Sequence, residues 1–291
     1  MKKLVLALSL ALASAPDAFA KPADEMTEIR GDKPVTLRAD RAYFLFRTSF
    51  PVSPVFLRIP TDAEMQAYDA ARREAFAKAE PELIRKRQIA IARKEAAEAA
   101  GQKSDIAIPP VPTLDEFNFV YGEVRNAQSI RMSQAFETTG KEKMMLIEAL
   151  PGQYVLYGLG YGEIFHTCLC LGTVSFTAKP GQIADLGTLF VASASEKSDI
   201  PELASETGFG PSMNGHSVTW SAAVRPATAS TPVPPLLAGK PLVPANYRAT
   251  GKFVAGFAFN VNRLAPIPGV LGYDRGNVLD LASNSIAPNQ Y

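Results

Sequence analysis

Histidine and cysteine are almost missing from this sequence, with two of each in 291 residues. A four-ligand metal site without carboxylates would have to use all four of them. Catalytic signatures are missing too. There is no HExxH pair, no glycine-rich phosphate loop with its lysine, and no Gly-x-Ser-x-Gly elbow. Gly-Tyr-Gly at 160–162 and Gly-Phe-Gly at 208–210 are too short to cradle a phosphate and read as turns. Past the N-terminus, no apolar run approaches the roughly eighteen residues of a membrane span. Neither sign of charge is in excess, which argues against nucleic acid and against an anionic membrane surface as partners.

Apolar residues make up 47% of the chain, so a substantial core can be buried. The first twenty residues have the form of a secretory leader. Lys2 and Lys3 precede a short apolar run from Leu4 to Ala13, Pro16 breaks it, and Ala18-Phe19-Ala20 supplies small residues for cleavage. Cleavage is expected after Ala20, placing the mature protein in the periplasm or outside the cell. Removal of the leader leaves 28 bases and 28 acids. Export also means an oxidising compartment, where the two cysteines could be joined.

Residues 21–33 are polar and read as a mobile lead-in. "VTLRADRAYFLFRTSF" and "PVFLRIP" then carry strand signals. At Thr61 the pattern changes. Thr61 and Glu64 form a capping box, and Ala, Glu, Arg, Lys and Gln dominate up to Ala100, with Gly101 as a stop. Pro81 lacks an N–H and predicts two helices, or one kinked helix, meeting at Glu80-Pro81. The apolar stripe is thin: Met65, Tyr68, Ala75, Phe76 and Ala79, interrupted by Arg72, then Ile84, Ile91 and Ala92. Such an element must lie along a larger body or meet a partner. Arg85, Lys86, Arg87, Arg93 and Lys94 resemble a basic arm. Eight acids against eight bases over 62–100 make a solvated face the better reading.

"GQKSDIAIPPVPTLDE" is a proline-rich connector, and "FNFVYGEVR" resumes strand character. "KMMLIEALPGQYVLYGLG" and "LCLGTVSFTAKPGQIADLGTLFVA" each hold Pro-Gly-Gln between strand-like runs, the mark of a hairpin or a corner. "HSVTWSAAV" is a further strand, with Trp220 and Val218 on one face for a core or interface. "RPATASTPVPPLLAGKPLVP" is an extended connection, and "GKFVAGFAFNVNRLAP" and "GNVLDL" complete the ordered part. "LPGQYVLYG", the Cys-Leu-Cys run and "KPGQIADLG" together resemble exported bacterial β-sandwich proteins of unknown function, and more loosely transthyretin-like or carboxypeptidase-regulatory-like sandwiches. "RLAPIPGVLGYDRG" is similar to the C-termini of such proteins. The resemblance spans roughly 117–192. It implies a sandwich core and no activity.

"HTCLCLG" at 166–172 is the main chemical candidate. In a strand, His166, Cys168 and Cys170 share a face. His166 and Cys170 would be about 13 Å apart, too far to meet one metal without a sharp bend. Cys168 and Cys170 could share an ion only with help from groups such as Glu163 or His216. A Cys168–Cys170 disulfide starts from Cα atoms about 6.4–6.8 Å apart with parallel Cβ directions, so it needs a bulge or turn. The alternative is that both are small apolar residues on a sheet face. His216 and Ser217 point to opposite faces and make a poor base–nucleophile pair, leaving Asp274 and Asp280 as distant acids for any hydrolase.

The sequence is therefore read as mainly β: an antiparallel β-sandwich with a long α-helical insertion at about 61–101. Residues 33–285 form one composite domain, within which 193–285 either completes the sandwich or forms a second β unit. The expected role is non-catalytic binding or structure in the cell envelope, toward an envelope protein or surface. No catalytic or cofactor-binding residue is assigned and no cofactor is implied. The rival is a metal- or redox-active protein using Cys168 and Cys170.

Overall fold

The computed structural model describes residues 26–49, 53–119, 127–129, 135–160, 173–193, 199–203, 220–251, 264–275 and 277–288. The fold is mainly β with one long helix. A seven-stranded sheet runs in the order β1 (Thr27–Ile29), β6 (Glu142–Ala149), β2 (Ala42–Thr48), β9 (Ile183–Ser193), β10 (Trp220–Arg225). β5 (Glu137–Thr139) pairs with β6 and β11 (Leu242–Pro244) with β9. A five-stranded sheet runs β12 (Arg248–Ala249), β8 (Val174–Ala178), β7 (Gly152–Gly160), β3 (Ser53–Arg58), β4 (Ala127–Ser129). β13 (Leu271–Asp274), β14 (Asn277–Asp280) and β15 (Ser285–Ile286) form a third, small sheet.

β2 shows why the large sheet sits at the centre. Every residue of "AYFLFRT" is buried. Period-two alternation sends Ala42, Phe44 and Phe46 into the main core and Tyr43 and Leu45 into a second cluster on the opposite face. In the main core the two larger sheets meet. The Phe44 ring packs edge-on against Tyr154, Phe176 and Phe56 of the five-stranded sheet, with centroids 4.8, 5.1 and 5.3 Å away. Aromatic side chains in this geometry contribute about 0.5–1.5 kcal/mol per pair beyond the area they bury. Leu264, Ile267, Leu271, Val278 and Ala287 from the C-terminal part join the same core. On the second face Val35, Phe136 and Leu237 cover Tyr43 and Leu45.

Both Pro-Gly-Gln segments are corners rather than hairpins. The first carries the chain from β6 in the large sheet to β7 in the other, and the second from β8 back to β9. Gly181 in the second has φ +66°, the positive value that such a corner demands. The return makes β9 parallel to β2, and β11 is parallel to β9. The all-antiparallel expectation is thus corrected to a mixed large sheet. The reason is long-range: direction depends on how many times the chain crosses between sheets before it returns.

A bulge interrupts the β2–β9 pairing between Leu45 and Phe46. One extra residue flips the parity of β9, so Ala184 and Leu186 face the main core before it and Leu189 and Val191 after it. Gly187 sits there with φ +83°, and a Cβ at that position would overlap the Arg225 carbonyl oxygen. Asp185 Oδ1 accepts from the Gly187 amide at 2.9 Å and from Arg47 Nη1 at 2.6 Å, while Arg47 Nη2 donates to Asp185 Oδ2 at 3.0 Å and to the Pro232 carbonyl. Tyr247 donates its hydroxyl to the Leu186 carbonyl at 2.8 Å. Burial, and secondarily the charge of Asp185, pushes this phenol far above its ordinary pKa and keeps it a donor.

Two local expectations change, and one left open is decided. The lead-in is ordered from Met26, which is buried in the main core, and β1 pairs with β6. Of "FNFVYGEVR", residues 117–119 form no strand, and Phe117 and Phe119 pack on the helix instead. The helix, α1, runs unbroken from Asp62 to Ala99 through Pro81. Proline removes one backbone bond, whose acceptor is the carbonyl of exposed Ala77, and there water can replace it.

Candidate functional site

His166, Cys168 and Cys170, with Glu163, His216, Ser217 and Val218, lie outside the described residues. Of the distant acids, Asp274 pairs with Asn277 across the β13–β14 hairpin, while Asp280 sits opposite Leu271. Asp280 accepts from the Ala282 amide at 2.9 Å. Slight burial works to raise its carboxyl, but hydrogen bonds from Ser283 and Ala282 and the nearby Arg248 hold it below the ordinary value. It is a local turn cap. Among the described residues, no group of three or more His, Cys, Asp or Glu is placed to hold a metal ion.

The most distinctive feature is α1 with the connector that follows it. At 1.5 Å per residue its 38 residues extend roughly 57 Å. None is buried, and among the described residues no strand packs along it. Its N-terminus is built as the capping box predicts. Thr61 Oγ1 accepts from the Glu64 amide and Glu64 Oε2 accepts from the Thr61 amide at 2.8 Å. The same carboxylate receives both terminal nitrogens of Arg58, a buried residue of β3. Hydrogen bonding from Arg58 is the main reason that the Glu64 carboxyl is held down at about 2, with the Thr61 bonds adding to it against partial burial. One acidic side chain therefore caps the helix and fastens it to the β body.

The far end closes equally well. Gly101 has φ +69°; its amide bonds to the Glu98 carbonyl and the Gln102 amide to the Ala97 carbonyl, a Schellman motif. The connector then doubles back along the helix. Arg87 Nη1 donates to the Pro109 carbonyl at 3.1 Å and Arg72 Nη2 to the Asp115 carbonyl at 2.7 Å. Phe76 meets Phe117 at 5.4 Å and Tyr68 meets Phe119 at 5.8 Å between ring centroids. This covers Tyr68 and Phe76 of the thin apolar stripe, leaving Met65 and Ile84 exposed, and explains Arg72 within it: its guanidinium serves the connector backbone. Both caps are visible in the sequence, whereas the role of Arg58 and the doubling back are not. The one available signal was the alternation of Phe117 and Phe119, which fits a strand equally well.

Elsewhere, a shallow groove of about 460 Å³ lies between Gly31–Val35 and Pro235–Lys240, with Lys33, Lys240 and Asp32 at its walls. Among the described residues, no helix is long and apolar enough to cross a membrane; α1 is long but heavily charged.

Comparison with family models, with curated proteins and with solved structures finds no match to this chain.

Proposed function

We propose that the chain is an exported cell-envelope protein with a non-catalytic binding role, in which a β-sandwich body carries a helical insertion as its binding arm. Residues 1–20 are the leader, and cleavage after Ala20 leaves Met26 and β1 with the mature, periplasmic or secreted chain. The contacts of Phe44 with three rings of the facing sheet support the sandwich. The observation that carries the reading is the arm itself. A helix of 38 residues buries none of them, yet it is capped at both ends and bolted to β3 through Arg58 and Glu64. Isolated helices gain little from local propensity alone, so an ordered helix held clear of the core presents surface rather than building the fold.

The test is capture from an envelope fraction with the intact mature chain and with a variant whose residues 62–119 are replaced by a short Gly-Ser link. Near-ultraviolet circular dichroism of the body controls for folding. Partners bound by the intact chain and lost by the variant support the arm. If the variant recovers the same partners, the reading fails.

A further inference from the structure

The arm is electrically polar along its length. Asp62 to Glu82 holds six acids and three bases, whereas Leu83 to Ala100 holds five bases and two acids. The connector sharpens this, because Asp115 and Glu116 lie beside the acidic half, where Arg72 bonds to the Asp115 carbonyl. Apolar residues also recur at seven-residue spacing: Ala63, Ala70, Ala77, Ile84 and Ile91. The first four are exposed and Ile91 is half-buried. This line lies about a quarter to a half turn around the helix from Tyr68, Arg72 and Phe76, which the connector meets, and comes nearer that side at Ile84 and Ile91, which flank Arg87. A seven-residue recurrence keeps one narrow line toward a partner helix, while the positions beside it, Arg73, Glu80 and Arg87, are charged, so charge rather than the apolar line sets the pairing.

We infer that the arm's partner is a second copy of this chain, with the two arms antiparallel about a two-fold axis near Ala77. The inference rests on the reading of the arm as a binding element and names its partner. Parallel packing would set acidic half on acidic half, whereas antiparallel packing sets each acidic half on a basic one. A two-fold axis at Ala77 places Ala70 opposite Ile84 and Ala63 opposite Ile91, small against large. It also brings Arg73 of each copy beside Glu80 of the other, once on each side of the axis. Neither side chain is in an ion pair within the chain among the described residues.

The experiment uses the full mature chain. Sedimentation velocity at low salt shows a dimer, which dissociates as salt rises because the charge contribution is screened. Ile84→Glu weakens association about tenfold or more at unchanged helicity. Orientation is read by oxidative cross-linking in a background of Cys168→Ser and Cys170→Ser. A mixture of Ala70→Cys and Ile84→Cys chains gives the crossed dimer, and Ala70→Cys alone gives none. A chain that stays monomeric at every concentration overturns the inference, as does self-cross-linking of Ala70→Cys or a dimer that survives deletion of 62–119. A monomer that still captures an envelope partner through the arm removes the second copy as partner and leaves the binding arm standing. Loss of both removes both.

Discussion

Breaking the Arg47–Asp185 pair tests whether the junction of β2 and β9 depends on a coupled charge pair or on packing alone. Only 5% of the Arg47 side chain and 2% of that of Asp185 are exposed, and two hydrogen bonds at 2.6 and 3.0 Å join them. Asp185→Asn keeps the Oδ1 that accepts from the Gly187 amide and Arg47 Nη1, but it removes the negative charge and sets an NH2 group against Arg47 Nη2, leaving a buried guanidinium without a counter-charge. Removing one member of a buried pair costs about 3–5 kcal/mol, because the surviving charge is uncompensated. Arg47→Met should cost a similar amount for the mirror reason. The double variant removes both charges. What remains is a neutral side-chain NH2 group at position 185 without a partner, a cost of about 1–3 kcal/mol. The sum of the two single effects should therefore exceed the double by about 3 kcal/mol or more. Urea unfolding followed by the fluorescence of Trp220, the one tryptophan, gives the four free energies needed. Single effects that add to the double within about 0.5 kcal/mol would refute the coupling.

Three further outcomes follow from the geometry. The Glu64 carboxyl is held at about 2 in the folded chain against an ordinary 4.5, so it contributes stability above the ordinary value that is lost as pH falls from 4.5 towards 2. Glu64→Gln should cost about 1–2 kcal/mol at neutral pH after solvent screening and should abolish that part of the acid dependence; amide exchange in the first turn of α1 reads it. Gly187→Ala meets the Arg225 carbonyl and a left-handed backbone at once and should cost about 3 kcal/mol or more, seen as a lowered Tm. Pro81→Ala restores a backbone bond in an exposed, continuous helix; it should slow exchange in the arm by stabilising it up to about 3 kcal/mol while the body's unfolding midpoint stays put.

Features set by near neighbours were legible in the sequence. The Thr61–Glu64 box and the Gly101 stop each involve residues within five positions, and both form in the folded chain. The Tyr and Phe content of "AYFLFRT" marks a strand, and its lack of charged residues before Arg47 goes with burial on both faces. Propensity left two outcomes open at Pro81, and the chain takes the single helix, since one lost bond in a water-exposed helix is cheaper than breaking it in two. It misjudges Phe117 and Phe119, whose alternation satisfies a helix surface as readily as a sheet.

By itself the sequence determined where the chain changes from strand to helix, how the helix is capped, and where the two Pro-Gly-Gln turns fall, because each depends on a few adjacent side chains and backbone groups. The tertiary structure alone decided that β2 and β9 run parallel, that the connector covers the helix, and that Arg47 meets a carboxylate 138 positions away. Those arrangements depend on which distant surfaces can be buried together, and no local pattern encodes that choice.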